Sequence, residues 1–353
     1  MDGVPGLATT DAYRLKQAIA LTKSRRAFPN LVAVFLILST YAGGLIAIFS
    51  HSFAVALTGV ALLWHSMTLA WYLSHDCAHG VVSGNRRTDK WLGELLSWIN
   101  GYSYFAFSDY VTDHLRHHAK QVDIIGIEVA HFLAELPAAL RIVVLAFEYC
   151  HVPLSHSLLR IQQRLDILRH GSRDDRIRVL VVLLARSGLM AAMLWGSPRA
   201  FVLYVLAVVL RIHCIRFVDA FQHTYPEEIP EKIGKSKGHG FEQVHTFSFP
   251  LAYRHQYLNL LILNFGYHNA HHAMPSCPWY HLPRLHQLLY EDLPGMAPPA
   301  FTPPKARFID LLKAYHRHRI RRMIGASQGR AYDEGGRFSF AQFYGAYTDK
   351  LLG

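Results

Sequence analysis

Residues 31–50 run for 20 positions without a charged side chain, and residues 53–73 follow with no Asp, Glu, Lys or Arg. At about 1.5 Å per residue each stretch spans roughly 30 Å of hydrocarbon as a helix. The link Ser50-His51-Ser52 is short, which predicts an antiparallel helical hairpin. A backbone in lipid must satisfy its own hydrogen bonds, so these stretches are committed to helix whatever their intrinsic propensity. Two further apolar stretches, 179–195 and 200–218, form a second pair around Gly196-Ser197-Pro198-Arg199. The second pair contains Arg186, and its end carries Arg211, His213 and Arg216, read as a helix end emerging toward an aqueous site. Residues 132–152 are apolar but broken by Glu135, Pro137, Arg141 and Glu148, and read as interfacial or re-entrant.

Composition agrees with a membrane protein that has a large aqueous part. The 353 residues are 51% hydrophobic and only 17% charged, with a mean hydropathy of +0.13. The net charge of +11 fits cytoplasmic retention and contact with anionic lipid. Without a basic stripe interleaved with stacking aromatics, nucleic acid is not an expected partner. Lys23, Arg25 and Arg26 precede the first hairpin and Arg86, Arg87 and Lys90 follow it, while its link has no Lys or Arg. The positive-inside rule therefore puts both ends of the hairpin in the cytoplasm. Cys77, Cys150, Cys214 and Cys277 are widely spaced and suggest neither a disulfide framework nor a zinc ribbon.

The expected fold is an all-α membrane protein, four transmembrane helices in two hairpins under a cytosolic helical cap. Its segments are an amphipathic N-terminal piece (1–30), hairpin one (31–73), cap (74–178), hairpin two (179–218), cap (219–302) and a basic cytosolic tail (303–353). Residues 10–28 mix basic and apolar side chains and predict a helix on the membrane surface. Residues 224–250, rich in Gly, Pro and Lys, predict a polar loop.

The 23 histidines are the chemical signal, because they cluster. His75-Asp76-Cys77-Ala78-His79 sits where the second span ends, and residues i and i+4 share a helix face. His114-Leu115-Arg116-His117-His118 and His268-Asn269-Ala270-His271-His272 both place imidazoles at i, i+3 and i+4, within about 100° of one face. His223 lies just past the fourth span. A lone histidine is usually a satisfied core or surface residue; three clusters on one membrane face without a metal would repel one another once protonated. Eight or nine imidazoles exceed what one first-row metal takes, so two metals are implied. Imidazole suits iron, zinc and copper alike, so ligand type alone does not choose. Asp76 and Asp113 neighbour ligands and serve either to orient them or to cap helices.

These boxes make the chain resemble the membrane-bound fatty acid desaturase superfamily over roughly residues 30–290. So do the run His75-Asp76-Cys77-Ala78-His79-Gly80 and the stretch Pro275-Ser276-Cys277-Pro278-Trp279-Tyr280-His281-Leu282-Pro283-Arg284-Leu285-His286. The resemblance implies a di-iron centre using O2 and two electrons per turnover, with His75, His79, His114, His117, His118, His268, His271 and His272 as ligands. His223 matches the single histidine that the family supplies after its fourth helix. In the acyl-CoA branch an Asn four residues earlier contacts a metal-bound water. Asp219 holds that position here, and is expected to touch one metal directly or through a bound water.

Breaking an unactivated C–H bond needs an oxidant generated at a metal. The expected activity is desaturation of a fatty acyl chain. The alternative is hydroxylation of a lipid, alkane or carotenoid, and a histidine-rich metal transporter is the reading from another class. Transport would place ionisable ligands along a path in mid-membrane; these lie at helix ends. Trp64, Trp71, Tyr72, Trp91, Trp98, Tyr102 and Tyr104 are candidate tunnel walls or interfacial-belt aromatics. The sequence shows no iron–sulfur cysteine set and no fused haem signature, so a separate ferredoxin- or cytochrome b5-like donor with its reductase is expected.

Overall fold

The structure, a computed structural model, describes residues 5–101, 103–124, 129–291, 305–324 and 338–340. Its regular secondary structure is almost wholly helical. In chain order the helices are α1 (Pro5–Lys23), α2 (Ala27–Ala47), α3 (Phe53–Ala78), α4 (Arg86–Asn100), α5 (Phe107–Lys120), α6 (Val129–Glu135), α7 (Ala138–Tyr149), α8 (Leu154–His170), α9 (Arg173–Gly196) and α10 (Pro198–Asp219). The shorter α11 (His239–His245), α12 (His268–Ala273) and α13 (Leu282–His286) follow, and then α14 (Phe308–Met323). A two-residue parallel pairing joins β1 (Asp123–Ile124) to β2 (Glu227–Glu228).

Among the described residues α2, α3, α9 and α10 are long and apolar enough to cross a membrane. α6 and α7 are not, at 7 and 12 residues, because roughly 1.5 Å per residue leaves both short of the hydrocarbon thickness. α2 and α3 approach closely where glycines face each other. A Cβ on Gly44 would stand 3.0 Å from the Gly59 carbonyl oxygen, and one on Gly59 would stand 2.8 Å from the Ile48 amide nitrogen. Small residues are what allow such contact between apolar helices. α3 and α10 share a second seam through Leu63, Met67, Tyr204 and Ala207. An Arg199 side-chain nitrogen donates to the Ser50 carbonyl oxygen, so the two interhelix links lie together. The histidine clusters lie at the opposite end of α3, on the order of 39 Å away at 1.5 Å per residue.

Two sequence expectations change. Residues 10–28 are not one surface helix: α1 ends at Lys23 and α2 begins at Ala27. Ala18 of α1 is fully buried against Tyr267, Ala270 and Leu285, so the segment packs on the chain around the third histidine box. The end of α10 does not emerge into water either. Arg211 and Arg216 are 3% and 2% exposed, because α7, α8 and α14 bring polar groups around them. Of the aromatic candidates, Trp71 and Tyr72 are buried and Trp91 and Trp98 are exposed. Tyr102 and most of the 303–353 tail lie outside the described residues.

Candidate metal centre

Each box is delivered by a helix whose ends are locally specified. α3 carries His75 and closes at His79, and Gly80 (φ +68°) turns the chain in the left-handed region where glycine is least strained. Asn85 caps α4 by accepting from the Arg87 and Thr88 amides. α5, which carries the second box, is seated by Phe107, whose ring lies over Gly93 where any Cβ would collide. Leu263 and Asn264 both take positive φ (46° and 58°) immediately before α12, a backbone conformation that the surrounding fold holds in place. His223 is fixed outside any helix. The Phe247 amide donates to the Gln222 carbonyl (2.8 Å) and the Thr224 amide to the His245 carbonyl (3.0 Å).

The nine histidines divide into two adjoining groups. His75, His79, His114, His118 and His271 offer ring nitrogens within 4.8 Å of one another, and so do His117, His223, His268 and His272. In the first group the Nε2 atoms of His79 and His114 are 2.8 Å apart, and those of His118 and His271 are 3.2 Å apart. In the second, His223 Nε2 lies 2.7 Å from His268 Nε2 and 3.1 Å from His117 Nε2. The two sets touch through the stacked rings of His118 and His272, 4.0 Å between centroids. Asp219 belongs to neither group. A shared helix face with His223 required α10 to continue to residue 223, but α10 ends at Asp219 and the chain turns.

Three rings are held from behind, at Nδ1. His117 Nδ1 donates to the Val122 carbonyl oxygen at 2.8 Å, and Asp123 Oδ1 is 3.5 Å from the same nitrogen. His272 Nδ1 donates to Glu242 Oε1 at 3.0 Å. His75 Nδ1 is 3.3 Å from Asp76 Oδ1, while Asp76 Oδ2 accepts from the Trp279 amide at 3.0 Å. The Trp279 indole in turn donates to Asn30 Oδ1 at 2.9 Å. The stretch after the third box thereby anchors the first box to α2.

With the proton on Nδ1, each Nε2 presents a lone pair. His117 Nε2 and His272 Nε2 are 3.3 Å apart with both Nδ1 atoms already donating, so two lone pairs face each other with no proton to share. His75 Nε2 is buried with no hydrogen-bond partner among the described residues. This donor set fits cations placed between the rings, and buried polar groups left so would otherwise be costly. Burial, and then the neighbouring imidazoles, hold His114, His118, His268, His271 and His272 well below the ordinary histidine value. His79 is lowered to about 3 by the same causes. Neutral rings are what metal ligation requires.

Glu242 is the residue that sequence reasoning missed. It lay in the stretch expected to be a polar loop, which instead contains α11 and buries Glu242 (7% exposed) against His272. Its signal was a carboxylate three residues before His245 in an otherwise Gly- and Lys-rich run.

Comparison with known proteins agrees with this geometry. The model of the fatty acid desaturase family matches residues 50–304, and the chain belongs to that family. A sphingolipid delta(4)-desaturase of Gallus gallus is 30% identical over 241 residues, covering 65% of this chain and 64% of the relative. A sphingolipid delta(4)-desaturase/C4-monooxygenase of Homo sapiens is 28% identical with the same coverage. The chain therefore spans a little under two thirds of the length of these relatives.

Proposed function

We propose that the chain oxidises a lipid acyl chain with O2, introducing a double bond, at two irons. One would be held by His75, His79, His114, His118 and His271, and the other by His117, His223, His268 and His272. The observation that carries this reading is the division of nine imidazoles, seven of them buried, into two adjoining sets of ring nitrogens within 4.8 Å of one another. Iron, rather than zinc or copper, rests on family membership. Bound there, the metals would supply the oxidising power toward an unactivated C–H bond that no side chain offers.

The chain's own residues do the rest. Asp76, the Val122 carbonyl and Glu242 orient rings and fix which nitrogen carries the proton. Burial of the second set and of His75, His114 and His271 in the first limits the access of water. Tyr72 and Phe265 (4.5 Å between centroids) form an apolar wall on the span side of His75, and Phe265 meets the His75 ring edge-on at 4.7 Å. An acyl chain arriving from the bilayer would run along that wall. Electrons would come from a separate ferredoxin- or cytochrome b5-like donor with its reductase. The reading places both termini, the three boxes and the helices around them in the cytoplasm, in the segments set out from the sequence.

Hydroxylation is the second reading. It is favoured by one observation, the C4-monooxygenase in the name of the human relative. The test is mass spectrometry of lipids, with double-bond localisation, from cells expressing the chain or its His117→Ala variant. A new double bond present only with the unsubstituted chain is expected. A hydroxylated lipid instead would establish the second reading, and neither product from an iron-loaded chain would sink both.

A further inference from the structure

In the second histidine set, His117 rides on α5 and His268 and His272 ride on α12, but no helix carries His223. Fixing a residue outside regular structure costs conformational entropy that its neighbours must offset. The nearest of them is the segment 246–249, which meets it in an antiparallel bridge between His223 and Thr246.

An extended chain turns successive side chains to opposite sides, and this segment uses both. Thr246 Oγ1 lies 3.4 Å from His223 Nδ1 and 2.8 Å from the Tyr225 hydroxyl oxygen. Ser248 Oγ donates to Asn269 Oδ1 and accepts from the Asn269 amide at 3.1 Å, within the third box. Phe247 and Phe249 go instead to an apolar cluster that they share with Phe221, two residues before His223.

The other side of that cluster comes from the C-terminal part of the chain: Leu311, Ala314 and Tyr315 of α14, and Phe338 and Phe340. The Phe340 ring centroid lies 5.4 Å from that of Phe221 and 5.8 Å from that of Phe249. Phe338 lies 6.1 Å from Phe249 and 6.5 Å from Phe247. Aromatic rings attract at such separations. The match to the family model stops at residue 304, so family membership does not account for these contacts.

We propose that the C-terminal segment is a clamp on the second histidine set. Phe338 and Phe340 hold Phe221, Phe247 and Phe249, and through the backbone between those rings they position His223. They are positioning residues, and firm metal binding at the second set depends on them. The first set has no member in the clamped segment: its histidines come from α3, α5 and α12. The metal consequence rests on the di-iron reading; the clamp itself does not.

Two measurements keep these apart. The first is hydrogen exchange of the full metal-free chain in detergent, read by mass spectrometry on peptides covering 221–225 and 246–249. The Phe247 amide, bonded to the Gln222 carbonyl, and the Thr224 amide, bonded to the His245 carbonyl, are the reporters. Phe340→Ala should speed their exchange by about tenfold or more. Met323→Ala removes another buried C-terminal side chain, one that packs with Leu133, Val144 and Leu159, and should leave these amides unchanged. No acceleration by Phe340→Ala overturns the clamp, and so does equal acceleration by Met323→Ala.

The second is iron retention by the loaded full chain during chelator dialysis. Phe340→Ala should lose one of its two irons about tenfold faster than wild type, the scale of other contacts behind a ligand. Phe340→Ala combined with His223→Ala should retain as much iron as His223→Ala alone, because both act on one site. A further loss in the double variant, or full retention in Phe340→Ala, overturns the positioning of His223. Phe340→Leu, which keeps most of the apolar volume, should restore both readouts toward wild type. A wild-type chain that never carries two irons sinks the di-iron reading, and the exchange result then decides the clamp alone. Should Phe340→Ala fail to fold, Phe338→Ala is held to the same criteria.

Discussion

Glu242 Oε1 lies 3.0 Å from Nδ1 of His272, on a helix within the stretch expected to be a polar loop. The contact fixes the His272 tautomer and turns Nε2 toward His117. Such outer contacts are worth about 10–100-fold in metal affinity. Glu242→Ala is expected to lose one metal of two during chelator dialysis. Glu242→Gln, which still offers an oxygen to Nδ1, should keep most of it. Metal analysis after dialysis decides, and full retention by the alanine variant would reduce Glu242 to a packing role.

The division of the histidines makes a stoichiometric prediction. Purified without chelators, the chain should carry two irons. His79→Ala should weaken the first set and His223→Ala the second, each lowering the content toward one, and the double variant should carry almost none. Asp219→Asn should keep both, because Asp219 belongs to neither set. A zinc-loaded active sample would contradict the assignment. So would loss of both irons on His223→Ala with the fold intact.

What the sequence disclosed follows from the range of each signal. The four long helices were legible because a charge-free run of 20 residues has few structural options in lipid. The boxes were legible because i, i+3 and i+4 spacing is a property of a single helix. The grouping of His117 with His223, and of His118 with His271, was not, because it depends on how α5, α12 and the strand-like segment at His223 pack. α11 was hidden by its Gly and Lys neighbours, and Glu242 with it. Arg211 and Arg216 looked like a helix end leaving the bilayer, since local sequence cannot show that both are buried and that Glu148 of α7 meets Arg216. Asp219 looked like a partner of His223 only if α10 ran one turn further than it does.

Orientation is testable independently of chemistry. The short links around Ser50 and Ser197 lie together at the end of the bundle far from the histidines, and the proposed topology, from the placement of Lys and Arg, would put them across the membrane from the boxes. Single cysteines at Ser50, Ser52 or Ser197 should react with an impermeant reagent from the non-cytoplasmic side only. Reaction solely from the cytoplasm would reverse the topology.

His286 gives a pH prediction outside the ligand sets. Its Nδ1 donates to Asn269 Oδ1 at 3.0 Å, and the Asn269 amide donates to Ser248 Oγ at 3.1 Å; this holds the turn of α12 between His268 and His271. Burial, and then the nearby Lys305 ammonium, lower its pKa to about 4 from an ordinary 6.5. Between those values the unfolded chain takes up a proton at this site and the folded chain does not. The contribution is therefore fully present above pH 6.5, declines as the pH falls toward 4, and is exhausted below it, when the folded chain protonates as well. The loss is roughly 3 kcal/mol at most. His286→Gln can keep an amide donor to Asn269 and has nothing to titrate. In metal-free protein the other histidines contribute equally to both chains, so the difference in unfolding free energy between wild type and variant should fall by that order over the window. Parallel stability curves between pH 6.5 and 4 would show that His286 does not titrate as its surroundings dictate.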